Sequence, residues 1–439
     1  MKVKHQSYKG VRDFYPETFR FQEYLFRQWI EVVELFGYER YDASIIEYFD
    51  LYAAKAQAND EIIQNQIYAF YDRGNRQVAL RPEMTPSVAR MIVNRQQELN
   101  YPLRWYSLPN VWRYERPQRG RLREHWQLNV DLFGLSEIDA ELEIMAIIKK
   151  LMNNFGANDD MYQIHISSRS LLEDIFNVWF KVDTKVKDQL INLLDRYHKL
   201  DSKTFQDACW QIFQPDAKTF KKINQLLETL INLRKLADLP AEISELASCQ
   251  NLKKFLLALK KININNWVLD FTIVRGFNYY TDLVFEVFDK HKDNNRSMFG
   301  GGRYNQLLES FGGQNLPAVG FGMGDVTMMD FLKSHKLMPK LTSPIDLYVV
   351  LLPDVDYLDI WSLLKNIRFE KLKVFVDSRP LKPNKKLETA LKREIDYVLF
   401  IGQKDIDEGL YNLKHLPSKT EHRLSEARLI SKLTALKGE

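Results

Sequence analysis

Arg113-Tyr114-Glu115-Arg116-Pro117-Gln118-Arg119-Gly120-Arg121-Leu122-Arg123-Glu124-His125-Trp126-Gln127-Leu128-Asn129-Val130-Asp131 is the stretch on which the reading of this chain turns. Five arginines fall between Arg113 and Arg123, and Glu115 is the only carboxylate among them. A guanidinium is permanently charged and presents a rigid fork of donors suited to phosphate oxygens. The run Pro117 to Gly120 marks a loop. Beyond it, Trp126, Leu128, Val130 and Leu132 alternate with Gln127, Asn129 and Asp131. A strand with one apolar and one polar face is half-buried in a sheet, or lines a polar pocket. Residues 103–115 alternate in the same way, so the two segments read as a hairpin with arginines at its mouth. Such a mouth suits a polyanion and points to nucleotide and RNA chemistry. The plainer alternative is a solvated surface hairpin carrying an ion pair.

The rest of the chain sets bounds on that reading. Its 439 residues suggest roughly two to four domains. A hydrophobic share of 45% and a charged share of 27% fit a globular protein with ample core. The formal net charge is only +4, so nucleic-acid binding must come from local patches. Cys209 and Cys249 have no metal-ligand spacing, which argues for a reducing compartment and against a disulfide framework. The N-terminus lacks the apolar core of a signal peptide, and no apolar run reaches the ~18 residues of a membrane span. The expectation is a cytoplasmic protein without membrane contact.

Residues 17–36 carry Phe21, Leu25, Trp29, Val32 and Phe36 at helical spacing and stop at Gly37. Residues 66–83 read as two short strands around Asp72-Arg73-Gly74-Asn75. From about 170 to 262 the pattern is helical, rich in Leu, Lys and Asp, which suggests an independent insert. Strand character returns at Trp267–Val274. Eight glycines then crowd between Gly300 and Gly324, where backbone must pass close to something or turn tightly. After Pro344 a β-α-β-α-β pattern predicts a small α/β domain with a parallel sheet. Within it, residues 365–393 hold ten Lys/Arg against Glu370, Asp377 and Glu388.

No P-loop or G-x-G-x-x-G fingerprint is present, so phosphate must be held by other means. Arg113 and Glu115, two apart on a strand, would share a face, the one for phosphate and the other for an amino group such as that of adenine. Glu83 and Thr85 can accept from an ammonium group, although Thr85-Pro86 also reads as an N-cap and first helical residue. Arg275, Tyr279 and Tyr280 sit close together after a strand, as a ligand site or as core. Gly300-Gly301-Gly302-Arg303-Tyr304 is either a close approach to a ligand or a turn into a helix at 304–311.

Together these segments resemble the histidyl-tRNA synthetases, a family of class II aminoacyl-tRNA synthetases, over nearly the whole chain. Lys9-Gly10-Val11-Arg12-Asp13-Phe14 is similar to the family's N-terminal signature, and Arg81–Thr85 with Arg113–Asp131 to its motif-2 region. Arg275–Thr281 and Gly300–Tyr304 resemble the two histidine-specific motifs. Lys386–Lys392 and Tyr397–Gly402 resemble the anticodon-binding domain.

The resemblance implies an α+β fold of class II synthetase type, with an antiparallel sheet flanked by helices. The catalytic domain would span 1–169 and 263–335, with a helical insertion at 170–262 and an anticodon-binding α/β domain at 344–439. It implies activation of L-histidine by ATP to histidyl-adenylate, then transfer to the 3′ end of tRNA-His. Glu83, Thr85 and Gln127 would hold the α-ammonium of histidine, while Asp131 and Tyr280, with Tyr279 nearby, would read the imidazole. Arg113 would bind the α-phosphate and the histidine carboxylate, and Arg275 the pentavalent phosphorus. Glu115 would face adenine, and Arg121 and Arg123 the outer phosphates. Gln118 and Arg119 would meet the tRNA acceptor end. Mg²⁺ and a homodimer are expected, with no protein-bound metal site assigned.

Two positions depart from the pattern. Thr327 stands where the third motif has an arginine, and Asn278 replaces an aspartate. A histidine-binding regulatory subunit of ATP phosphoribosyltransferase would suit the loss at Thr327. Against it stand the arginine hairpin and the basic C-terminal domain, which such a regulator does not need. Another class II synthetase is disfavoured by Tyr279-Tyr280 and Gly300–Tyr304. A bare RNA-binding module has no use for Glu83, Gln127 and Asp131.

Overall fold

The computed structural model describes residues 5–53, 65–273, 279–294 and 296–437. The chain divides into two compact units, Met1–Met338 and Pro339–Glu439.

The strands of the first unit are β1 (Glu39–Arg40), β2 (Ile46–Tyr48), β3 (Tyr68–Tyr71), β4 (Gln77–Leu80), β5 (Leu103–Ser107) and β6 (Asn110–Trp112). They continue with β7 (Glu124–Phe133), β8 (Tyr162–Ser168), β9 (Trp267–Leu269), β10 (Leu283–Asp289), β11 (Ser297–Arg303) and β12 (Ala318–Gly324). Among the described residues a nine-stranded sheet runs β1-β5-β7-β12-β11-β10-β8-β9, with β6 also on β7. It is antiparallel through its middle, as expected. The end pairs, β1 with β5 and β8 with β9, are parallel, which makes the whole sheet mixed. Strands β2, β4 and β3 form a small separate antiparallel sheet.

Period-two patterning explains how the large sheet is covered. Leu128, Val130 and Leu132 of β7, Val319, Phe321 and Met323 of β12, and Phe285 and Val287 of β10 enter one buried cluster. The helices Pro16–Leu35 and Asp139–Asn154 supply the facing side chains, among them Leu25, Trp29, Ile144 and Ile148. Gly37, at φ +77°, ends the first helix in the left-handed region that glycine tolerates. On the opposite face Leu103, Phe133 and Val284 pack with Val88 and Ile92 in a smaller buried cluster.

Residues 169–261 are mainly helical, and aspartates cap three of the helices. Asp183, Asp201 and Asp216 accept from backbone N–H groups as N-caps. Buried Leu190, Leu194, Leu227 and Leu230 join the same apolar cluster as the sheet, so the insert shares a core with its host.

The second unit has β13 (Leu347–Leu351), β14 (Val374–Asp377), β15 (Tyr397–Ile401), β16 (Leu410–His415) and β17 (Thr420–Ser425), in the order β14-β13-β15-β16-β17. The first three are parallel as expected, while β16 and β17 extend the sheet as an antiparallel hairpin. Among the described residues no helix is long and apolar enough to cross a membrane.

Candidate active site

The site is built on the polar face of the central sheet. Gln127, Asn129 and Asp131 of β7 lie opposite Gly324, Gly322 and Gly320 of β12, and those opposite Gly300 and Gly302 of β11 at Gly322 and Gly320. Opposed residues share a face, so the glycines form a floor beside a row of three polar side chains. The floor has to be bare. A Cβ on Gly320 would lie 2.6 Å from Asp131 Oδ1 and 2.5 Å from the Val130 carbonyl oxygen. One on Gly322 would lie 2.4 Å from Gln127 Nε2.

Asp131 closes one end of the row. The Tyr304 hydroxyl donates to its Oδ1. Its Oδ2 is buried and has no hydrogen-bond partner among the described residues. Burial pushes the carboxyl up to about 7, against the pull of the Tyr304 and Tyr41 hydroxyls. The rings of Tyr279, Tyr280 and Tyr304 pack on one another beside it in tilted and edge-to-face pairs, with centroids 4.9–6.2 Å apart. The Tyr279 hydroxyl donates to Glu83 Oε2 at 3.2 Å and also interacts with Thr85. Thr85 is not the N-cap of its helix. It is the first helical residue after Met84, and no side chain caps that end. Glu83, Thr85, Tyr279 and Tyr280 thus gather toward the Asp131 end of the row, and Gln127 stands at its other end, opposite Gly324. Arg275 and Asn278 lie outside the described residues.

The arginine segment is a loop, and β6 ends at Trp112, so Arg113 and Glu115 do not share a strand face. Arg113 is anchored through Nε to the Pro82 carbonyl at 2.9 Å, next to Glu83. Arg123 donates to the Tyr8 hydroxyl (2.7 Å) and to the Glu115 carbonyl (3.2 Å), and lies 3.9 Å from the Tyr114 ring centroid. Its guanidinium therefore braces the loop. Arg121 faces Glu115 at 3.4 Å. At the tip, Gln118 accepts from Arg296 at 3.1 Å and Arg119 donates to Ser334 Oγ at 3.1 Å. His125 lies at the loop's return. Burial, helped by the Arg113 and Arg12 cations, pushes its imidazole down to about 3 and keeps it neutral.

The N-terminal signature completes the frame. Gly10, at φ +86°, lets the chain pass Arg123, because a Cβ there would meet Arg123 Cγ at 2.8 Å. Arg12 pairs at 2.7 Å with Asp325, a fully buried carboxylate that also accepts from Gln22 and from the Trp126 N–H. Thr327, in the same first turn of helix Asp325–Ser334, donates to the Met298 carbonyl at 2.7 Å. Its hydroxyl serves the backbone and supplies no cation.

Residues 10–326 match the family described as Histidyl-tRNA synthetase, and residues 354–436 match the Anticodon binding domain. The chain is 37% identical to the histidine–tRNA ligase of Leptospira biflexa over 98% of each chain. It is 34% identical to that of Thermoplasma volcanium over 93% of each. The chain belongs to the histidyl-tRNA synthetase family. Its fold matches the Nostoc histidyl-tRNA synthetase with a TM-score of 0.79 at 21% identity, covering 99% of this chain and all of that one. Within the family, the regulatory-subunit reading is not favoured, because these relatives are named as ligases and an anticodon-binding match is present.

Sequence reading missed Tyr41 and undervalued Tyr304. Tyr304 was visible at the end of the glycine motif, but its partner Asp131 is 173 residues away in the chain. Tyr41 carried no local signal.

Proposed function

We propose that the chain is a histidine–tRNA ligase working on the glycine-floored face of the central sheet. The observation that carries this is the Asp131 carboxylate, buried with one oxygen unclaimed among the described residues, in a chain of this family. Histidine attacks the α-phosphorus of ATP through its carboxylate, giving histidyl-adenylate and pyrophosphate. The terminal ribose hydroxyl of tRNA-His then takes the histidyl group.

Glu83, Thr85 and Gln127 hold the α-ammonium. Asp131 accepts the imidazole N–H, with Tyr280 on the ring and Tyr279 between it and Glu83. An apolar amino acid in this place would leave a buried carboxylate unpaired, and that penalty supplies the selectivity. Arg113, fixed by the Pro82 carbonyl, meets the α-phosphate and the histidine carboxylate. Catalysis of adenylation is chiefly positioning and stabilisation of charge on phosphate. Arg275 is assigned to the pentavalent phosphorus by family resemblance. Glu115 faces adenine, and Arg121 and Arg123 set the positive field for the outer phosphates. A neutral His125 adds no competing charge. Gln118 and Arg119 approach the acceptor end of the tRNA. Mg²⁺ arrives with the phosphates of ATP.

Residues 170–262 are assigned to the acceptor arm of the tRNA and residues 344–439 to its anticodon. A homodimer in the cytoplasm completes the reading. The decisive assay is histidine-dependent exchange of labelled pyrophosphate into ATP, followed by charging of tRNA-His. Exchange with histidine and not with other amino acids is expected. Folded protein that binds histidine without exchange would restore the regulator.

A further inference from the structure

Asp131 is approached from the β1 edge of the sheet by a side chain that the site as described does not use. β1 runs parallel to β5, with Glu39 beside Trp105 and Arg40 beside Tyr106. β5 runs antiparallel to β7, with Trp105 opposite Asp131 and Ser107 opposite Asn129. Tyr41 continues this register, its N–H bonded to the Tyr106 carbonyl at 2.9 Å. Alternate residues share a face, so Tyr41, Trp105, Ser107, Asn129 and Asp131 all look into the site. The Tyr41 ring packs on Trp105 at 5.6 Å between centroids, and its hydroxyl interacts with both Ser107 and Asp131.

Three polar atoms meet there. Tyr41 Oη, Ser107 Oγ and Asp131 Oδ2 are each buried without a hydrogen-bond partner among the described residues. Buried polar atoms are nearly always satisfied, by protein or by ordered water. Three such atoms together point to mutual donation or to one bridging water. A carboxylate oxygen accepts more than one hydrogen bond. Oδ2 can therefore serve Tyr41 and a ligand at once, while Tyr304 holds Oδ1.

We propose that Tyr41 is a positioning residue for histidine selection: Ser107 orients its hydroxyl, which donates to Asp131 Oδ2, directly or through one water, and so holds the carboxylate to accept the imidazole N–H. This rests on the reading of Asp131 as the imidazole acceptor. Chemically, two phenols do what a cation would do in a more polar pocket. Burial favours the protonated acid, and donation from Tyr304 and Tyr41 favours the carboxylate. The other titratable groups near this cluster are Tyr279, bonded to Glu83, and, behind the sheet, Tyr38, whose hydroxyl is bonded to Glu143 with Arg104 beside it. Asp42 lies next to Tyr41.

The test uses the full chain and follows pyrophosphate exchange against histidine concentration from pH 5.5 to 9. In Tyr41→Phe, which keeps the ring and removes one oxygen, the acid limb of kcat/KM for histidine should move up by about 0.5–1 pH unit. KM at pH 7 should rise roughly three- to tenfold, with kcat at saturation within about twofold. A purely structural tyrosine would leave the limb in place. Ser107→Ala should move the limb in the same direction by less, and it carries the test if Tyr41→Phe does not fold. An unmoved limb in Tyr41→Phe, or in Ser107→Ala where that is the variant that folds, overturns the proposal. Asp131→Asn separates the two levels. Loss of histidine-dependent exchange there, with Tyr41→Phe behaving as the parent, rejects Tyr41 alone. Unchanged KM in Asp131→Asn rejects the reading of Asp131, and Tyr41 with it.

Discussion

Burial of the Asp131 carboxyl costs the folded chain stability once that group ionises. The Asp131 carboxyl titrates near 7 when folded, against an ordinary value of about 3.9. Between those values the folded chain holds a proton that the unfolded chain has lost, so stability falls as pH rises from about 4 to about 7 and stays low above. Asp131→Asn should therefore stabilise the ligand-free protein at pH 8, by on the order of 2–4 kcal/mol, and by little at pH 4. Urea unfolding at the two pH values measures this, and an equal gain at both would mean that ionisation is not the cost. His125 works in the opposite sense. Its folded value near 3, below the ordinary 6.5, makes stability rise with pH over that window. The two slopes offset one another between about pH 4 and 6.5. At this scale Gln127 and Asp131 were legible because strand parity is local. Tyr41 and Tyr304 were not, because what they touch is set by strand order across the sheet.

At the scale of elements, the glycines of β11 and β12 decide whether the polar row of β7 can lie flat. Gly320→Ala would push a methyl onto the Val130 carbonyl and the Asp131 carboxylate. Backbone cannot yield cheaply, and overpacking of this kind costs about 1–3 kcal/mol. The expected result is a rise of at least roughly tenfold in KM for histidine together with a lowered melting temperature. Gly312→Ala is the control. Its Cβ would meet nothing within 4 Å, but its φ of +78° penalises any side chain by roughly 1 kcal/mol. It should lower stability and leave KM unchanged. If both variants shift KM alike, the floor is not specific to histidine. Glycine density announced a close approach in the sequence, and what approaches is the neighbouring strand: β7 at Gly320 and Gly322, β10 at Gly300 and Gly302, β12 at Gly301. Residues 304–311 show why periodicity alone misleads. Tyr304, Leu307 and Leu308 are spaced as on a helix, but the segment forms turns and a short 3-10 stretch at Glu309–Phe311. Its burial comes from packing against Val88 and Ile92. β16 and β17 escaped notice because β17 lies at the sheet edge, with Thr420–Arg423 exposed and without apolar alternation.

At the scale of the molecule, a net charge of +4 supplies no strong global field, so the reading of residues 365–393 as a tRNA-binding patch predicts a local attraction. Its ten cations are not equivalent. Arg379 makes a two-pronged bond to buried Asp377 (2.8 and 2.6 Å) and holds that carboxyl well below its usual range. Lys386 is buried with Nζ on the Leu351 carbonyl at 2.6 Å, and Lys385 pairs with Glu388 at 3.0 Å. These three maintain the fold of the unit. Lys365, Arg368, Lys371, Lys373, Lys382, Lys392 and Arg393 are exposed to solvent. Each phosphate neutralised adds roughly 0.7–0.9 to the slope of log affinity against log salt. Lys382→Ala combined with Lys392→Ala should therefore flatten that slope for tRNA-His by roughly 1–2, with the melting temperature unchanged. Arg379→Ala should do the reverse, lowering the melting temperature of the unit and leaving the slope within error. Filter binding across a potassium chloride series, with melting followed in parallel, measures both. A slope that ignores the two lysines but responds to Arg379 would reject Lys382 and Lys392 as phosphate contacts.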